Sequence, residues 1–157
     1  MSRFSAAARA ESGNAGGVRR PAAVLWNPSS TLSLVVRTIA VTPPTVVTTA
    51  HIIDVWRTTT RGTAASTMTP DVNNDYDGNG APPTGALLDL GIFSALPTEA
   101  AATGLVQWAT MQANSALWLW SMPGGVLVPP GTGLAVGSDT VSIPVQMSDI
   151  FFVWDET

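Results

Sequence analysis

Turn-forming residues punctuate this chain so closely that no long helix fits between them. Pro123-Gly124-Gly125, Pro129-Pro130-Gly131 and Ser138-Asp139 follow one another at intervals of six and nine residues, and proline and glycine at that spacing stop a helix within two or three turns. Asn27-Pro28-Ser29-Ser30 and Pro43-Pro44 act the same way upstream. The segments between them are β-branched: the sequence holds 19 threonines and 16 valines, whose stiff side chains suit a pleated strand. Strand signals fall at residues 22–26, 32–42, 45–60, 86–93, 105–110, 114–120 and 145–154, with a further pair framed by the turn at Pro129-Pro130-Gly131. This predicts an all-β protein, an antiparallel β-sandwich of about eight strands.

The individual runs carry more detail. Residues 32–42 alternate, with Leu32, Leu34 and Val36 on one face and Ser33, Val35, Arg37, Ile39 and Val41 on the other. Both faces are partly apolar, which predicts a central or covered strand. Trp118 and Trp120 share one face of their strand, opposite Leu117 and Leu119. One side of that strand is expected to meet a second subunit, unless the strand is wholly buried. Residues 63–84, rich in Thr, Asp, Asn, Gly and Pro, read as a long excursion loop. At the end of the sequence Ile150, Phe152 and Trp154 line one face of the last strand.

With 157 residues the protein is one domain long and is able to bury roughly 70% of its unfolded surface. Charged residues make up 11%, against a usual ~25%. The absence of cysteine excludes disulfides and thiol chemistry, and the absence of lysine excludes Schiff-base enzymes and P-loop nucleotide hydrolases. No glycine-rich loop leads from a strand into a helix, so nucleotide binding has no support. No apolar run approaches the ~20 residues of a membrane span and none has the form of a signal h-region, so synthesis and retention in the cytosol, or release by lysis, are expected.

The net charge of −4 is unevenly placed. Residues 1–20 hold Arg3, Arg9, Arg19 and Arg20 against Glu11 alone, so the remainder is strongly acidic. These twenty residues read as a basic N-terminal arm ahead of a sandwich domain at 21–157, with a helical turn or two at 5–11 before Gly13, Gly16 and Gly17. An arm of this kind needs an acidic surface to lie on, its own or a neighbour's. Its four arginines are the expected docking contacts, as forked cations on carboxylates, and a body without residues 1–20 is expected to stay folded. Nucleic acid is a weaker partner, because the body is acidic.

Catalytic constellations are sparse. The single histidine, His51, lies three residues before Asp54, a spacing that puts the two on opposite faces of a strand. Asp54, Asp89, Asp149 and Asp155 could in principle supply a carboxylate pair, yet no spacing selects one. Asn73, Asp75 and Asp77 precede Gly78 at the alternate positions of a calcium loop, but position twelve is Thr84 instead of the bidentate glutamate. A hydrated turn needs the same residues. The expectation is a protein that is not an enzyme and holds no cofactor, with Ca²⁺ at this loop as the exception to test.

Three stretches carry a resemblance. Residues 24–29 (VLWNPS) with 34–39 (LVVRTI), residues 127–136 (LVPPGTGLAV) and residues 150–156 (IFFVWDE) together resemble the opening strand pair, the turn before the penultimate strands and the closing strand of small jelly-roll virion proteins of tailed bacteriophages. These are the capsid decoration or cement type, with relatives in tail and fibre parts. The resemblance implies a jelly-roll sandwich that forms a homotrimer, binds the major capsid protein at local threefold positions and resides on the capsid surface of the virion. The low charge and the spare apolar faces at Trp118 and Trp120 suit permanent assembly independently. The alternative is a receptor- or carbohydrate-binding module of a head or tail fibre, using exposed aromatics such as Trp108 or Tyr76.

Overall fold

The computed structural model describes residues 3–12, 18–42, 51–70, 82–101, 105–111, 117–138 and 146–157. Ten strands and no helix occur among them: β1 (Arg3–Ser12), β2 (Arg20–Trp26), β3 (Leu34–Thr42), β4 (His51–Thr58), β5 (Ser66–Met68), β6 (Leu87–Leu90), β7 (Leu105–Met111), β8 (Trp118–Val128), β9 (Gly133–Ser138) and β10 (Gln146–Glu156). They form two antiparallel sheets, one in the order β1-β10-β3-β8 and the other β5-β6-β2-β9-β4-β7. The expected all-β sandwich is the fold observed.

The pairing is nested. Strand β1 pairs with β10, β2 with β9, β3 with β8 and β4 with β7, as if one long hairpin had been folded over itself. The β10–β3 and β9–β4 ladders then join the rungs into two sheets. Alternate side chains of both sheets meet in one core that includes Phe4, Leu25, Leu34, Ile39, Val55, Leu88, Leu134, Ile150, Phe152 and Trp154. As the sequence implies, Ile150, Phe152 and Trp154 all point inward.

Residues 3–12 are not an arm. They form the edge strand β1, in register with β10 from Arg3 opposite Asp155 to Ser12 opposite Gln146. Phe4, Ala6 and Ala10 are buried in the core, and the Phe4 ring stacks near Trp154 with centroids 6.0 Å apart. The alanines disguise the strand: helix propensity favours Ala, but burial of the alternate positions and a full ladder against β10 decide the outcome. The other strand beyond the expected eight, β5, lies inside the excursion loop and extends the second sheet through β6.

Two irregularities revise the expected faces. In β3 the buried residues are Leu34 and Val36, then Ile39 and Val41, so the alternation changes phase between them. The register shifts there against both neighbours: Val36 pairs with Trp154 and Val126, while Thr38 pairs with Val153 and Ser121. Arg37 is the residue left over. This bulge turns two apolar sets that strict alternation places on opposite faces toward the same core. In β8 the expected turn at Pro123-Gly124-Gly125 lies within the strand, opposite Arg37, with Gly125 at φ 71°. A Cβ there would overlap the Val35 side chain, so both the backbone angle and the space require glycine.

The turn at Asn27 forms as expected and is fixed by one side chain. Asn27 is fully buried; its Nδ2 donates to the carbonyls of Leu32 and Val128, both at 3.0 Å, and its Oδ1 accepts from the Ser29 amide. Its own amide donates to the Thr132 carbonyl at 2.9 Å.

Because β1 is core structure, deletion of residues 1–12 is expected to abolish cooperative unfolding, the reverse of what an arm would give. Phe4→Ala is expected to cost about 3–5 kcal/mol, the usual range for a buried Phe. Urea denaturation followed by tryptophan fluorescence measures both.

Candidate interaction surface

The two sheets differ in what covers their outer faces. Outside the second sheet, Val24, Trp56 and Ala135 pack beneath Phe93, Ala64 and Leu96 from the connecting segments, making a second small core. The outer face of the β1-β10-β3-β8 sheet has no such cover among the described residues. Cross-strand pairing lays out its rows. Ala7, Phe151, Ala40 and Leu119 form the middle row, and Arg9, Asp149 and Thr42 lie on one side of it, with Leu117 just before β8. Ser5, Val153, Thr38 and Ser121 lie on the other side, followed by Arg3, Asp155, Val35 and Leu127. Leu117 and Leu119 are 58% and 55% exposed, an unusual display for leucines on a regular sheet. A shallow hollow of about 390 Å³ runs over Ala7, Ala40, Thr42, Leu117 and Phe151.

Ion pairs stand at both ends of this apolar band. Arg9 grips Asp149 with two hydrogen bonds, Nε to Oδ1 at 2.7 Å and Nη2 to Oδ2 at 2.9 Å. At the far end Asp155, nearly buried, receives Arg3 Nε at 2.8 Å and Arg37 Nε at 2.7 Å, one on each carboxylate oxygen. Arg37 also donates through Nη1 to the Pro123 carbonyl at 2.8 Å, which ties the β8 bulge to β3. The hydrogen bond from Arg3 draws the Asp155 carboxyl below its ordinary range; burial opposes this, and Arg37 adds a second lowering. Asp149 is lowered chiefly by its hydrogen bond from Arg9. Across this face Arg3, Arg9 and Arg37 balance Glu11, Asp149 and Asp155, so the net −4 resides elsewhere.

Three of the four arginines expected to dock on a neighbour therefore have partners at home. Arg3 and Arg9 are paired as described, and Arg19 bridges Asp54 and Glu99, both at 2.6 Å. The fourth, Arg20, begins β2 with its Nε buried and without a hydrogen-bond partner among the described residues. Trp118 and Trp120 belong to the inner face: Trp120 is buried and Trp118 packs against the core, so the outward residues of that strand are Leu117 and Leu119. Both faces of the strand are apolar, and nothing in the local pattern says which one turns inward.

Asp54 is buried on β4, pairs with Arg19 and stands opposite Trp108 in the β4–β7 ladder. Asp89 is buried too, gripped by Arg61 at 2.7 and 2.8 Å and by the Thr67 hydroxyl at 2.6 Å. Glu156 accepts from the Thr84 amide and hydroxyl and from Trp154 Nε1, holding the 82–86 segment to the end of β10. Asp54 and Glu99 are brought together by Arg19, which occupies a carboxylate oxygen of each. Asn73, Asp75, Asp77 and Tyr76 lie outside the described residues, and so do the side chains of His51 and Trp108. Among the described residues no group of three His, Cys, Asp or Glu side chains could hold a metal ion. Trp56, Trp120 and Trp154 are buried, and Trp26 and Trp118 are half-buried.

No protein-family model, no curated protein and no solved structure matches the sequence or its fold.

The lowered Asp155 and Asp149 carboxyls fix a direction for acid sensitivity. A carboxyl depressed in the folded state contributes stability that is complete above its unfolded pKa, about 3.9, and is lost as pH falls through the folded value. Thermal midpoints measured between pH 7 and pH 2 are expected to fall below about pH 4, and Asp155→Asn is expected to start lower at pH 7 and show a shallower acid decline.

Proposed function

We propose that this protein is a non-enzymatic assembly protein, a capsid decoration or cement protein of a tailed-bacteriophage virion, which docks on the major capsid protein as a homotrimer. The observation that carries the proposal is the outer face of the β1-β10-β3-β8 sheet, uncovered among the described residues: an apolar band, electrically balanced and braced by ion pairs, on a body whose other sheet is covered in part. A surface of that character is costly to leave in water and suits burial against a partner. The strand order supports the architecture that goes with this reading, since β1-β10-β3-β8 facing β2-β9-β4-β7 is the order expected of a double Greek-key roll, with β5 and β6 as an added extension. Jelly rolls of this kind serve in viral capsids and in lectins.

The lectin alternative draws less support. A sugar platform needs an exposed aromatic ring beside polar groups; among the described side chains the tryptophans are buried or half-buried and the large exposed apolar residues are not aromatic, while Tyr76 and the Trp108 side chain, named for that reading, lie outside the described residues. The proposed work is thermodynamic. A protein that binds the assembled lattice and not its loose subunits stabilises the shell by the difference in binding free energy.

Light scattering is expected to give about three times 16.3 kDa, and the protein is expected to sediment with phage heads in a pelleting assay. Leu119→Glu is expected to leave the thermal midpoint within a degree or two, because the residue is exposed, and to remove the protein from the pellet. A monomer that stays in the supernatant with every particle tested would overturn the proposal.

A further inference from the structure

Seven arginines are the only fixed cations of this protein, and five of them are committed. Arg3 and Arg37 hold Asp155, Arg9 holds Asp149, Arg19 holds Asp54 and Glu99, and Arg61 holds Asp89. Arg57 is different. Half-buried near the end of β4, its guanidinium has no ion pair or hydrogen bond among the described residues. It lines a recess of about 210 Å³ at the end of the sandwich, together with Thr59, Ala100, Leu127, Pro129 and Thr132.

The walls of this recess are held in place by hydrogen bonds. The Ala100 amide donates to the Arg57 carbonyl at 2.9 Å, which fixes one wall to β4. The opposite wall hangs on Asn27, which donates to the carbonyls of Val128 and Thr132, while the Thr132 hydroxyl donates to the Pro129 carbonyl at 2.7 Å. A recess fixed in this way needs little ordering when a ligand enters, so more of the contact energy appears as affinity. Its chemistry is a guanidinium fork beside aliphatic groups, Leu127, Pro129 and Ala100. The complement of a fork is a carboxylate, and the complement of the walls is a short run of aliphatic carbon.

We infer that the Arg57 recess binds a carboxylate borne on a short aliphatic stem, supplied by the protein on which this one docks, as an acidic side chain or a C-terminal carboxylate. The position fits that source. Leu127 lies on the recess and also ends the outermost row of the exposed sheet face, opposite Val35, so one partner is able to cover the face and reach Arg57. The identity of the partner rests on the docking reading above; the chemistry of the recess does not.

The test uses the full-length protein, labelled with ¹⁵N, and follows the Arg57 Nε–H resonance, assigned by its loss in Arg57→Gln. Three probes are titrated to millimolar concentration: acetyl-Gly-Glu-Gly-amide, acetyl-Gly-Gly-Leu as the free acid, and acetyl-Gly-Gly-Leu-amide. One or both acids are expected to shift the resonance saturably and the amide to leave it unmoved; the stronger acid identifies the source as side chain or terminus. Equal response to acid and amide, or no response to either acid, overturns the inference. In parallel, Arg57→Gln is expected to keep the wild-type thermal midpoint and to lower retention on phage heads at least tenfold, with Arg57→Lys retaining an intermediate share. If wild type binds heads and Arg57→Gln binds equally well, the inference fails while docking stands. If the acids shift Arg57 but wild type ignores heads, docking fails and the recess stands.

Discussion

One carboxylate, Asp155, decides how the exposed sheet is assembled. It sits nearly buried on β10 and takes Arg3 from the strand on one side and Arg37 from the strand on the other. Removing either arginine leaves a charge in a poorly hydrated place with half its compensation gone, which is the costly way to break such a contact. Arg37 is also the residue at which β3 changes phase, and it reaches on to the Pro123 carbonyl of β8. The same side chain that neutralises Asp155 therefore fixes the bulge that sends Leu34, Val36, Ile39 and Val41 all inward. Four strands take their register from one node.

That bracing has a consequence for the surface above it. A sheet face built from Ala7, Phe151, Ala40 and Leu119, with hydrogen-bonded arginine forks at its ends, is preorganised: little side-chain freedom remains to be lost when something covers it. Its charges cancel locally, so a partner does not have to strip water from an isolated ion. Part of the outer face of the second sheet is already occupied, where Phe93 packs with Trp56. Among the described residues the two sheets are thus unlike, the β1-β10-β3-β8 sheet presenting a broad face open for contact with the Arg57 recess at its margin.

Much of this is legible in the sequence, and the failures share a cause. Turn spacing and β-branched content are local signals, and they mark the all-β class, the Asn27 turn and the inward face of β10. What local signals do not carry is long-range pairing. Arg3–Ser12 is poor in β-branched residues, so only its match to β10 reveals it as a strand. The bulge at Arg37 is invisible to an alternation count because it depends on Asp155, far along the sequence, and on the distorted stretch of β8 opposite. Pro123-Gly124-Gly125 reads as a turn and is a distortion inside a strand for the same reason. Arg3, Arg9 and Arg19 read as available because their carboxylates are distant in sequence; Arg57, left without a partner among the described residues, bears no local mark at all.

The pairing of β1 with β10 spans nearly the whole sequence, with Arg3 and Asp155 separated by 152 positions. On a ribosome β1 emerges long before its partner and has to wait, an unpaired edge and a ready template for wrong pairings. The alanines of β1 take on a second meaning in that interval. Four of its first eight residues are alanine, too small and too weakly β-forming to recruit a stray strand by themselves. The blandness that hides this strand from a reader of the sequence also keeps it quiet during synthesis, until β10 arrives to give it a place.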